Sequence, residues 1–330
     1  MIMVKPRRRL ERVFIHVPAL LSLLSFSLPL VCGFALTTMT MTTKGMNNLS
    51  SVEDFLLRSR LEGIKKGIKK DYANSPGVKL LSGEVDEKST MPTFIFPGAG
   101  GLDELVLELQ ATIPNSEVID WKEYRGTLLT AGYDSEAVGE AIAELVLEQI
   151  GGDGEEINNG GYENEELESP SISSDSCSGV RFVGISVGGF AANAAATIVH
   201  RQITERSQPK NVEKNKENDI LNVHLVLLDP FCGRGVFGQN YGRNNFGKYA
   251  TSAIQILNTD DPVPTTNDPL SNCYCLDVTE APEKQDFVVL PGDSMHSWPV
   301  AYFARYYYKK CQDPSLTPML FPRGVVEEVS

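Results

Sequence analysis

From residue 93 onward, short apolar runs alternate with longer amphipathic stretches. Runs at 93–96, 117–120, 180–183, 224–228, 254–257 and 287–290 predict buried strands, and a further strand is read through Cys273 and Cys275. Stretches at 102–110, 135–150, 190–206 and 299–310 predict helices between them, with Asp134 placed as N-cap of the second. Strands apolar on both faces, alternating with helices, predict an α/β fold with a mostly parallel sheet and helices on both faces. Upstream, Leu57, Leu61, Ile64 and Ile68 form one apolar stripe, and Ser50 with Glu53 match a capping box, so a helix is expected over 51–71. Its other positions carry Arg58, Arg60, Lys65, Lys66, Lys69 and Lys70. Such a helix can touch an anionic membrane surface peripherally. The simpler expectation is packing on the domain's edge, since Gly63 and Gly67 weaken an isolated helix.

Two polar segments interrupt the alternation. Residues 151–178 hold eight acids (Asp153, Glu155, Glu156, Glu163, Glu165, Glu166, Glu168 and Asp175) without a Lys or Arg, and 207–219 is polar with mixed charge. Both read as surface insertions, which cost little between sheet elements. An acidic docking loop is the rival reading of the first. The main folded unit is read over 91–312, preceded by a helix and linker at 51–90 and followed by a tail at 313–330.

Composition narrows the classes. The 330 residues carry 43 acids against 30 Lys and Arg, a formal charge of -13, which argues against nucleic acid as a partner. Six Cys are too few for a disulfide scaffold. Cys273 and Cys275 read as small core residues, a regulatory disulfide with Cys311 being the alternative. No His, Cys and carboxylate group has metal-site spacing, so neither metal nor cofactor is expected.

The one long apolar run, 13–31, follows Lys5, Arg7, Arg8, Arg9 and Arg12 and precedes Cys32, Gly33 and Ala35. That is the order of a signal peptide over 1–33, with an uncleaved membrane anchor as the alternative. Residues 34–50 are rich in Thr and Met and have no acid, as in a transit segment. With Phe34 at the junction, the whole resembles the bipartite presequences of algae whose plastids lie inside the endomembrane system. A plastid is the location this resemblance implies, a secreted or membrane-anchored protein the alternative.

The strongest chemical signal is Gly184-Ile185-Ser186-Val187-Gly188-Gly189, between an expected strand and an Ala-rich helix. A nucleophilic serine on a strained strand-to-helix turn needs such small neighbours. The serine then needs a base and a group to orient that base. Of four histidines, His16 lies in the presequence, His200 along the following helix, and His224 at the start of a strand. His296 alone falls in a loop after the last expected strand. The acid should lie between Ser186 and His296, at a strand end. Asp261 is the choice, with Asp260 as competitor and Asp229, before Pro230 at the end of the preceding strand, as a third candidate whose expected role is that of a turn former. Backbone donors for an oxyanion are expected at Val187 and, in Pro97-Gly98-Ala99-Gly100-Gly101, at Ala99. The same loop fails as a dinucleotide fingerprint, because the third glycine position is Asp103, and no P-loop is present.

These four segments, in this order, resemble the α/β-hydrolase fold family over about residues 93–310. The resemblance implies a serine hydrolase with the triad Ser186, Asp261 and His296, cleaving an acyl ester or thioester, lipid included, without a cofactor. It departs from the family in having Pro-Gly where many relatives have His-Gly, and in lacking evident strands before residue 93. Phe231, Phe237 and Trp298 are the expected substrate contacts, Tyr241 and Phe246 further candidates for an apolar cleft, and Tyr306, Tyr307 and Tyr308 packing and rim. A catalytically silent binding protein is the rival, although such a relative has no physical reason to keep all three side chains. Acyl transfer to an alcohol is a variant of the first reading.

Overall fold

The computed structural model describes residues 43–82, 91–127, 129–151, 179–206, 221–235, 238–261, 263, 267–311 and 321–330. Residues 1–42, which include the signal segment, His16 and part of the transit segment, lie outside them, as do Phe237, residues 152–178 of the acidic insertion, the whole polar insertion at 207–219 and the side chain of Cys311.

Among the described residues seven strands form one sheet: β1 (Thr93–Phe96), β2 (Ser116–Val118), β3 (Gly179–Ile185), β4 (Asn222–Leu228), β5 (Ser252–Leu257), β6 (Tyr274–Asp277) and β7 (Val326–Glu328). Their order is β2-β1-β3-β4-β5-β6-β7, and every pair is parallel. The helices are α1 (Thr43–Tyr72), α2 (Pro76–Lys79), α3 (Glu104–Thr112), α4 (Ala131–Gly151), α5 (Gly188–Arg206), α6 (Tyr241–Asn245), α7 (Trp298–Tyr302) and α8 (Tyr308–Cys311), the last two joined by a wide π-type turn at Phe303–Tyr307.

Alternation along the strands divides the core in two. Phe94, Phe96, Val180, Phe182, Leu225 and Leu227 pack with α4, α5 and the Ile64–Ile68 stripe of α1. Ile95, Val183, Ile185, Val226 and Leu228 face the other way, onto Leu105, Val106 and Leu109 of α3 and the Trp298–Tyr308 region. The strands are therefore apolar on both faces, as parallel strands under two helical layers must be.

Several expectations need correction. Residues 287–290 are not a strand: Val288 is 78% exposed, and the edge of β6 that such a strand would need is taken by β7. The segment read as a tail thus completes the sheet. No described residue before Thr93 is in a strand. The helix expected from Ser51 begins at Thr43, so Ser50 and Glu53 do not mark its start. Asp134 is not an N-cap, because a turn at Thr127–Thr130 starts α4 three residues earlier, with Ala131 N–H donating to Thr127 O at 2.9 Å. Its fully buried carboxylate instead accepts from Arg60 Nε of α1 at 2.9 Å, Gly126 N–H at 2.8 Å and Thr130 Oγ1 at 2.9 Å. Lys65 and Lys69 of α1 pair with Glu140, Glu144 and Glu148 of α4, so these two cations are already engaged by protein.

His224 sits inside the sheet, its Nδ1 2.7 Å from Ser252 Oγ. Burial, and then Arg181, push its pKa down to about 4. A base with a depressed folded-state pKa contributes stability above its unfolded pKa, near 6.5, and loses that contribution as pH falls toward 4. Stability is expected to drop by up to about 3 kcal/mol over that window, and His224→Asn to flatten this slope in urea unfolding at several pH values.

Candidate active site

The C-terminal ends of β1, β3, β4 and β5 converge. Ser186 follows β3 at φ +51°, a left-handed conformation that a non-glycine residue rarely holds. Its neighbours make that turn sterically feasible. A Cβ on Gly184 would lie 2.6 Å from Gly189 Cα, and one on Gly188 would lie 2.2 Å from Phe96 O. The turn is closed by Ser186 N–H donating to Leu228 O (3.1 Å), while Ser186 O accepts from Gly189 N–H (3.0 Å) and Phe231 N–H (3.1 Å). Helix α5 starts two residues later, so Ser186 stands at its N-terminus, where the dipole favours developing negative charge.

The loop after β1 lies directly against this serine: a Cβ on Gly98 would be 3.2 Å from Ser186 Cβ. Trp121 holds the loop by donating from Nε1 to Pro97 O at 3.0 Å, and Gly101 N–H closes a turn on Gly98 O at 3.1 Å. Neither the Ala99 nor the Val187 amide donates to a backbone carbonyl among the described residues.

His296 lies in a short 3₁₀ turn, Met295–Ser297, where Ser294 Oγ accepts from its backbone N–H at 3.2 Å. Its Nδ1 lies 2.6 Å from Asp261 Oδ2 and 2.9 Å from Asp229 Oδ2, and both carboxyl side chains are fully buried. Asp261 thus holds the expected place. Asp260 does not: it pairs with Lys284 at 2.8 Å. Asp229 is more than a turn former. It follows β4 at φ +45°, one register step beyond the Ile185–Leu228 pair, which sets it beside Ser186. Asp-Pro sequences occur in ordinary turns, and nothing local distinguishes this one.

Electrostatics follow from burial. Burial raises the Asp229 pKa to about 7, His296 opposing and Asp261 adding to the shift. Burial disfavours a charged His296 ring, but the two carboxyls outweigh it and the net shift is upward. His296 Nε2 is buried without a hydrogen-bond partner, and so is Asp229 Oδ1. No hydrogen bond therefore joins Ser186 Oγ to Nε2 in this conformation, a gap common before substrate binds.

Asp229, Asp261 and His296 also form a three-ligand group whose donor atoms lie within 4.8 Å, a cluster that linear spacing does not reveal. The 2.6 Å Nδ1···Oδ2 separation is a charge-assisted hydrogen bond, shorter than the roughly 3 Å expected between two ligands of one ion bound at about 2.1 Å each. The three groups therefore fit a proton better than a cation.

Of the expected substrate contacts, Phe231 is half-buried beside Ser186. Trp298 requires correction: it is fully buried, donates from Nε1 to Val278 O at 2.9 Å and packs on Phe287 and Tyr302, so it supports the His296 loop from beneath. Phe246 and Tyr241 pack on Phe190 with ring centroids at 5.0 and 5.8 Å, as core.

Three supporting residues carry no sequence signal. Ser135 of α4 donates to Val187 O (2.9 Å) and accepts from Ala191 N–H (3.1 Å), pinning the start of α5. Asn258 Nδ2 holds Met295 O at 3.0 Å. Lys284 Nζ donates to Asn258 Oδ1, Asp260 Oδ2 and Thr279 O at 2.8, 2.8 and 2.9 Å, tying the loops after β5 and β6 together. Lys284→Met is expected to cost about 1–3 kcal/mol in thermal unfolding. It should also slow any reaction of Ser186 about tenfold, a loss typical of groups that position catalytic side chains at one remove. An unchanged reaction rate would sever Lys284 from the site.

Comparison with models of protein families, with curated proteins and with solved structures finds no match to this chain.

Proposed function

We propose that this protein is a serine hydrolase of the α/β-hydrolase type, cleaving an acyl ester or thioester. One observation carries the reading: a serine strained to φ +51° between a strand and a helix, on a sheet rim where a histidine is bound through Nδ1 to buried carboxyls. Ser186 Oγ attacks the substrate carbonyl and its proton passes to His296 Nε2. Asp261 orients the ring by accepting from Nδ1–H. The Ala99 and Val187 amides bind the oxyanion, a donor pair in which each member is worth about 10²–10³ in rate. His296 returns the proton to the leaving group, and water then releases the acyl group by the same steps in reverse. Because the base is neutral His296, activity should be weak in acid and rise as pH passes through that ring's raised pKa.

The test is labelling of the full chain by a fluorophosphonate, followed by acyl esters of graded length. An alcohol acceptor in the second step would make the protein an acyltransferase, which product analysis separates from hydrolysis. A silent binding protein on the same fold is favoured by one observation, the missing Ser186–His296 hydrogen bond. Failure of the folded protein to label would select it. The N-terminal residues support entry into the secretory pathway and delivery to a plastid, which a fluorescent fusion of the full chain would locate.

A further inference from the structure

A histidine that works as a base needs one carboxylate on its far nitrogen, and His296 has two. Asp261 Oδ2 and Asp229 Oδ2 approach the same Nδ1 at 2.6 and 2.9 Å. One N–H serves one acceptor well. Both side chains are fully buried and come from adjacent strand ends, Asp229 from a left-handed backbone held at φ +45°. Two like charges in one dry site cannot both ionise cheaply. We propose that Asp229 and Asp261 act as a single acid that shares one proton beneath His296, Asp261 supplying the carboxylate and Asp229 the neutral carboxyl.

The proposal rests on the hydrolase reading for its purpose, though not for its geometry. Neighbouring groups agree with it. His296 and Asp261 face Asp229 directly, and the buried thiol of Cys232 lies close enough to sense its charge. Asp293, in the His296 loop, adds further negative potential near the ring and is itself faced by Asp103, before α3, while Lys284 is committed to Asp260. Burial favours the protonated form of Asp229, and contact with Asp261 pushes the same way. With one proton shared, the imidazole meets one net negative charge instead of two. It can then stand neutral, as a base, when Oγ gives up its proton to Nε2, and the carboxyl pair keeps its own proton through that step. Asp229 is thus a positioning residue that limits how basic His296 becomes.

The experiment uses the full chain labelled with ¹³C at the aspartate γ-carboxyl, which separates Asp229 from the raised Glu136 in infrared spectra. A protonated-carboxyl band sensitive to the label is expected in the wild type at neutral pH and is expected to vanish in Asp229→Asn. The His296 pKa, followed by ¹⁵N NMR, should move by less than about half a unit in Asp229→Asn, because no charge is removed; loss of a real charge would lower it by about one unit or more. Fluorophosphonate labelling should fall about tenfold in Asp229→Asn and about 10⁴-fold in Asp261→Asn, where the ring loses its orienting carboxylate. No labelled band, a full-unit drop in the His296 pKa, or equal rate losses would overturn the shared proton. If the wild type does not label at all, the hydrolase reading falls, while the two spectroscopic readouts still decide where the proton sits.

Discussion

Ser186→Ala is expected to abolish fluorophosphonate labelling, by at least about 10³-fold, without unfolding the protein. The substitution removes one atom, Oγ. The backbone bonds that hold the turn, from Ser186 N–H to Leu228 O and from Gly189 and Phe231 N–H to Ser186 O, do not involve it. Alanine also bears the left-handed backbone about as well as serine, since both carry a Cβ and neither is β-branched. Circular dichroism and thermal melting should therefore be unchanged while the fluorescent band disappears. A mutant that still labels at the wild-type rate would put the nucleophile elsewhere, and the assignment of this rim would fail with it.

The second large effect is structural. Gly139 lies where α4 crosses α5, and a Cβ there would sit 2.0 Å from Ala191 O and 2.7 Å from Ala191 C. Both are backbone atoms, which cannot swing aside as a side chain can. Gly139→Ala must push the helices apart, at about 3 kcal/mol, the upper end of ordinary overpacking. The damage should spread. Ser135, one turn earlier on α4, bridges Val187 O and Ala191 N–H, so moving α4 loosens the turn that carries Ser186. Urea midpoints and labelling rates should fall together. Gly63→Ala is the control in the same assay: nothing lies within 4 Å of the added Cβ, and better helix propensity should raise stability by up to about 1 kcal/mol. Equal midpoints for the two variants would contradict the close helix contact.

Much of the sheet was legible because burial on both faces leaves continuous apolar runs. Residues 180–183, 224–228 and 254–257 fall inside β3, β4 and β5. Residues 287–290 were misleading for the same reason: an apolar run shows burial of part of a segment but does not say which strand edge is open to receive it. Val326–Glu328 went unnoticed because its side chains are exposed and two of the three are acidic, and only the backbone of β6 makes it a strand. Ser186, Asp261 and His296 were legible through glycines, strand ends and elimination. Asp229 was legible only as a third candidate acid and was set aside, since a buried carboxyl and a surface turn share the same Asp-Pro sequence. Lys284, Asn258 and Ser135 act through contacts 24 to 56 positions away, which no local pattern encodes.

The strand order has a consequence that does not depend on Ser186. The chain leaves β1 through α3, whose apolar side packs on one face of the sheet, and leaves β3 through α5, which packs on the other. Connections departing in opposite directions from neighbouring strands leave a crevice between them at the carboxyl rim, and open parallel sheets take up ligands at such a topological switch point. Whatever small molecule this protein meets, whether it is cleaved or merely held, the crevice between β1 and β3 is where it should dock, with Gly98 on one bank and Phe231 near the other.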